Sequence, residues 1–251
     1  MATAYPQNID IGRVIQRGFG VIGRNAAGFL LAGLVLAGGP NFMLQYLIIP
    51  EPGEIVPNVT LETVAAYLGL LAATMFAAGL LQAALVRSSI LEMNGRPADV
   101  AGSFQVALFL VLPVLGLTIV SGIGIMFGFL LLIVPGIMLM VAWMVAVPVL
   151  VEERLGVFGS LSRSAELTKG SRWQVFGLLA IVVILSSMIG AVFAVFVAFD
   201  PDADPVVVAL INGLAATLSG VIGAAMAASL YVELRTVKEG ATADSLAAIF
   251  D

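Results

Sequence analysis

EERLGVFGSLSRSAELTKGSRW, residues 152–173, is a charged island in an apolar chain. Upstream, residues 100–151 contain no Asp, Glu, Lys or Arg, and downstream residues 174–199 contain none either. A polar, helix-patterned segment between two runs of membrane length reads as a loop against one face of a bilayer. The face it occupies then sets the topology of every other segment.

Composition points the same way. The chain has 251 residues, of which 61% are hydrophobic and 11% charged, against about 25% charged in an average soluble domain. Its mean hydropathy is +1.10. Too little polar surface exists to cover a soluble globule, so the expected fold is an all-α, polytopic integral membrane protein forming a single domain. Cysteine and histidine are both absent. That removes disulfides, thiol nucleophiles, Ser-His-Asp triads and Cys/His sites for zinc, haem or iron–sulfur clusters, and no cofactor is expected. A net charge of −5 argues against nucleic acid, which needs a concentrated basic face. A cleaved signal peptide is not expected, because the first apolar run begins only after residue 25.

Six spans are expected, at about 26–49, 63–86, 105–124, 134–151, 175–199 and 206–232, arranged as three hairpins. Residues 104–151 are too long for one crossing. Their 48 residues would make a helix of about 72 Å, more than twice the hydrocarbon thickness. A reversal is therefore expected at about 125–135, near Gly122, Gly124, Gly128 or Pro135-Gly136. Before the first span, Ile11, Val14, Ile15, Phe19 and Ile22 recur at helical spacing, with Asn8 or Asp10 as a cap. This segment reads either as an amphipathic helix lying in the interface or as an extension of the first span. Leu155, Phe158, Leu161, Ser162 and Ala165 form a similar, moderately apolar face, so cytoplasmic amphipathic interfacial helices are expected before at least the first and fifth spans.

With six spans and both termini on one side, all 11 basic residues fall on that side. The opposite loops carry only Glu51, Glu54, Glu62, Asp200, Asp202 and Asp204. The positive-inside rule then places both termini in the cytoplasm, in a bacterial inner membrane.

Candidate sites fall into two groups. The first is a lipid or partner interface formed by Arg13, Arg17, Arg24, Arg163, Lys169, Arg172 and Trp173. Basic residues at a membrane face recognise anionic headgroups, and Trp prefers headgroup depth. A plain role in anchoring topology is the alternative. The second group is Gly38, Gly39, Pro40 and Asn41 in the first span, with Asn212 in the sixth. Pro40 removes a backbone donor, so a kink or break is expected there. Such a break either exposes backbone to a solute or only improves packing. Asn41 and Asn212 are also candidates for hydrogen bonding between helices. In the sixth span Ala216, Gly220, Ala224 and Ala228 form a small-residue ladder, beside a second one at Ala215, Ser219, Gly223 and Ala227. Close helix packing is their expected role, within the chain or in a homo-oligomer. The three aspartates at 200, 202 and 204 lack the rest of a calcium loop and read as a solvated turn.

Three stretches resemble a family of six-span bacterial membrane proteins: LLIVPGIMLMVAWMVAVPVLVEE (131–153), SLSRSAELTKGSRWQVFGLL (160–179) and LYVELRTVKEG (230–240). The family includes the membrane domain fused to some glycerophosphodiester phosphodiesterases, and stand-alone relatives of unassigned function. The resemblance implies fold and topology, and carries over no catalytic residue. The expected function is non-enzymatic: a membrane scaffold or accessory protein that meets lipids or protein partners at the cytoplasmic face. The alternatives are a carrier or channel for an apolar or amphipathic solute, and an intramembrane enzyme. The last is disfavoured because no acid/base group sits within a span.

Overall fold

The computed structural model describes residues 9–46, 60–199 and 204–250. Asn8, the proline-bearing loop at 51–59, and Asp200 and Asp202 of the acidic turn lie outside the described residues. The described chain is helical throughout, with no strand. Its helices are α1 (Ile11–Arg24), α2 (Ala26–Gly33), α3 (Gly39–Tyr46), α4 (Leu61–Met93), α5 (Val100–Leu131), α6 (Ile133–Ala142), α7 (Ala146–Glu153), α8 (Gly156–Thr168), α9 (Arg172–Ala198) and α10 (Pro205–Phe250). Six stretches are long and apolar enough to cross a membrane: Ala26–Tyr46, Leu61–Met93, Val100–Leu131, Ile133–Glu153, Arg172–Val195 and Pro205–Gly240. These fit a multi-pass membrane protein.

Helix starts follow local chemistry. The Asp10 carboxylate accepts from the Arg13 backbone N–H at 3.1 Å, and Asp99 accepts from Gly102 N–H at 2.8 Å. Thr60 and Thr63 form a reciprocal capping box at the start of α4. Each cap satisfies a backbone donor that the first turn leaves without a partner.

At Gly38–Pro40 the first span neither breaks nor stops. A π-helical segment, Leu34–Gly38, joins α2 to α3, and the Gly39 N–H donates to Leu34 O. Pro40 has no N–H to donate and would crowd the carbonyl one turn back. Widening that turn takes up the mismatch and keeps the helix going.

At Leu132 the chain is extended, with φ −167° and ψ 156°, and α6 lies back along α5. A Cβ built on Gly128 would stand 2.9 Å from Gly136 Cα, and one on Gly124 would stand 2.6 Å from the Trp143 ring. Against the Gly136 backbone only glycine permits this approach, whereas at Gly124 the Trp143 ring would have to give way. Helix α5 therefore continues past residue 124, the expected end of the third span.

A second interruption falls at residues 143–145. Pro148 cannot donate to Met144, and Ala146 N–H turns to Trp143 O at 3.0 Å. The carbonyl of Ala142 is left over, and α8 satisfies it. The buried Ser164 hydroxyl donates to it at 2.8 Å, and the buried Thr168 hydroxyl lies at 3.4 Å. Ser164→Ala is expected to cost about 1 kcal/mol, the net worth of one buried hydrogen bond. Thermal unfolding in mild detergent would show it, and an unchanged midpoint would contradict this role for the Ala142–Ser164 contact.

The densest packing gathers at the end of the bundle that carries the charged island. Val14, Leu85, Leu150, Leu167, Tyr231 and Leu234 are all buried there. Elsewhere the helices present large apolar side chains outward, including Phe109, Leu112, Leu130 and Met188. Surfaces of that size on a water-soluble protein would drive association, and in hydrocarbon they are the ordinary exterior.

Candidate functional site: a cross-braced charged face and a polar cavity between helices

Helix α1 packs against the C-terminal half of α10. Gly18 lies under Met226, where a Cβ would come 2.9 Å from the thioether, and Ser229 Oγ donates to Val14 O at 2.8 Å. This contact brings Arg13 and Arg17 to Glu233, whose side chain is wholly buried. Arg13 Nη1 donates to Glu233 Oε1 at 2.9 Å, and Arg17 Nη1 to Oε2 at 3.4 Å. The sequence pattern turns both arginines toward headgroups; the fold aims them inward. A buried carboxylate needs charge-assisted donors more than an exposed guanidinium needs a headgroup.

Arg163 is a second hub. Its Nε donates to Glu153 Oε2 at 3.1 Å and its Nη1 to Glu166 Oε2 at 3.4 Å, while Nη2 pairs with Glu239. Burial opposes the charged guanidinium, but Glu153 and Glu239 outweigh it and raise the Arg163 pKa above its ordinary value. Tyr231 OH donates to the other Glu153 oxygen at 2.9 Å, and Arg235 Nε donates to Glu239 at 2.8 Å. Lys238 donates to the carbonyl of Lys169. Glu92 receives both Arg24 and the Asn25 amide. Four of the seven candidate interface residues, Arg13, Arg17, Arg24 and Arg163, are thus held by carboxylates of the chain itself.

Among the described residues no carboxylate holds the other three. Lys169, Arg172 and Trp173 are exposed at the turn from α8 into α9, where Gly170 takes φ +87°. Among the described residues no carboxylate lies within ion-pair distance of Lys169 or Arg172. The Trp173 ring meets Phe176 edge-on at 6.1 Å. Arg172 and Trp173 border an apolar groove of about 370 Å³, floored by Val134, Ile137, Met138, Val141 and Phe176.

The intramembrane candidates also come together. Asn212 Nδ2 donates to Gln45 Oε1 at 2.7 Å, and Gln45 Nε2 donates to Asn41 Oδ1 at 2.7 Å. Gln45 is the link that joins the two asparagines. Gly38 lies against Gly213, where a Cβ on Gly213 would stand 2.8 Å from Gly38 O. Gly39 and Pro40 continue the helix beside this contact, and Thr217 Oγ1 donates to Gly213 O at 2.9 Å. Next to it, between the first span, α4 and α10, is a cavity of about 360 Å³ that Asn41, Thr74, Gln82 and Ser219 border.

Sequence reasoning missed Glu92, Glu153, Tyr231, Glu233 and Glu239, the partners of the basic set. For Glu233 and Glu239 the one visible signal was the cluster of mixed charge at 233–239. Comparison of the chain with protein-family models, curated proteins and solved structures returns no match in any of the three.

Proposed function

We propose that this chain is a non-enzymatic, multi-pass protein of a bacterial inner membrane, with both termini cytoplasmic. In this reading it is a scaffold or accessory protein that meets anionic lipid headgroups or partner proteins at its basic face. The resemblance to the six-span family belongs to the same proposal, as does the arrangement of α1 and α8 as interfacial helices. One observation carries it. The carboxylates near the charged face brace α1 and α8 onto α10, yet Lys169 and Arg172 are left unpaired beside an exposed Trp173 and an apolar groove. A cation above an apolar groove matches an anionic headgroup above an acyl chain.

The test is Lys169→Glu/Arg172→Glu, purified in mild detergent from membranes containing phosphatidylglycerol. At about 1 kcal/mol per basic residue, about 2 kcal/mol for the pair, co-purifying phosphatidylglycerol is expected to fall roughly thirtyfold with no change in thermal midpoint. Equal retention by variant and wild type would refute a lipid role for this face.

A second reading is favoured by a separate observation. The cavity bordered by Asn41 lies within the span region, as a carrier or channel for an apolar or amphipathic solute requires.

A further inference from the structure

We infer that the cavity between the first span, α4 and α10 binds a neutral amphipathic molecule, one with a hydroxyl or carbonyl head and an apolar body. The inference rests on the carrier reading for its location but requires no transport.

The cavity runs from Thr74 to Gln82 along α4 and from Ala216 to Ala224 along α10, which sets its length at about 12 Å at 1.5 Å rise per residue. Its volume of about 360 Å³ falls at the small end of known ligand sites.

The glycines in its wall are not explained by helix contact. A Cβ on Gly223 would meet nothing within 4 Å, and one on Gly220 would stand an ordinary 3.5 Å from Leu81. Gly38 and Gly213, by contrast, touch backbone to backbone. At Gly223 the small-residue ladder therefore leaves space where close helix packing would need none.

The polar groups facing that space are neutral. Asn41 Oδ1 already accepts from Gln45, which leaves its Nδ2 hydrogens to donate. Thr74 Oγ1 donates to Leu70 O at 2.8 Å and retains acceptor capacity. Gln82 and Ser219 form no hydrogen bond among the described residues. Free amides at hydrocarbon depth are costly unless a partner fills the site. No charged side chain borders the cavity, so a carboxylate or ammonium ligand would be desolvated without a counter-ion. A hydroxyl or carbonyl can accept from the Asn41 amide or from the Gln82 amide. The π-helical segment contributes Leu36 and Ala37 to the wall, and π-turns recur at binding sites.

The test uses the full chain in lipid nanodiscs, photolabelled with a medium-chain primary alcohol that carries a diazirine. Saturable labelling of peptides spanning 74–82 and 216–224 is expected. The unlabelled alcohol should compete, and the carboxylate and amine of the same chain length should not. Gly223→Leu, whose new side chain enters the open space, should lower labelling about tenfold or more. If that variant does not fold, the wild-type competition decides alone. Labelling that never saturates, spreads over α5 and α9, or yields equally to the charged competitors would overturn the inference, as would a cavity that holds water only. Saturable labelling with no increase in flux of the alcohol over protein-free vesicles would remove the carrier reading and leave the site standing.

Discussion

Replacing Arg13 and Arg17 together with alanine is expected to lower stability by about 3 kcal/mol, the low end for stranding a buried charge. The Glu233 side chain is fully buried, whereas Arg13 and Arg17 keep 40% and 30% of their side-chain surface exposed. Removing the arginines leaves a carboxylate inside with no charge partner. Removing the carboxylate leaves two guanidiniums that water can reach. Glu233→Gln is therefore expected to cost less, about 1–2 kcal/mol. The same change made in the Arg13→Ala/Arg17→Ala background should recover part of the loss. Non-additivity of this kind marks a direct interaction. Denaturant unfolding in mild detergent measures all of these, and a double-alanine variant within about 0.5 kcal/mol of wild type would show that the pair does not hold α1 to α10.

The second large effect lies at the glycine contact. Gly213→Ala is expected to destabilise by about 1–3 kcal/mol, as overpacking does, because its methyl would sit 2.8 Å from the Gly38 carbonyl oxygen. The obstacle is backbone, so a whole helix must shift. The shift would also strain the Asn212–Gln45–Asn41 chain beside it. Gly223→Ala, nearly three turns along the same helix in open space, should instead stabilise by roughly 0.5–1 kcal/mol through backbone entropy alone. The two substitutions are chemically identical and differ only in what surrounds them. Thermal midpoints that move in the same direction for both would contradict the contact described.

The helical architecture was readable in the sequence because it rests on runs. Charge-free stretches of membrane length need no partner to be recognised, and Pro40 and Pro135 mark where backbone donors are missing. What each interruption becomes depends on neighbours. Pro40 sits beyond a π-turn whose Gly38 touches Gly213, whereas Pro148 follows a break whose spare carbonyl is met by Ser164 from another helix. The charged face was readable as a set of cations and not as a network. Arg13 and Glu233 are 220 positions apart, and Arg163 and Glu239 are 76 apart, distances over which local spacing carries no information. The small-residue ladder is a similar case. Its period shows that a face of α10 is narrow, but packing at Gly213 and space at Gly223 look alike in one dimension.

The most direct measurement concerns sidedness, and the absence of native cysteine makes it clean. Single cysteines at Glu62, Arg96, Lys169 and Asp204, all exposed, can be labelled with a membrane-impermeant maleimide in intact cells and in inverted vesicles. The six-span account predicts that Glu62→Cys and Asp204→Cys label only in intact cells, and that Arg96→Cys and Lys169→Cys label only in inverted vesicles. Labelling of Lys169→Cys from outside intact cells would contradict the cytoplasmic placement of the basic face and the function proposed for it.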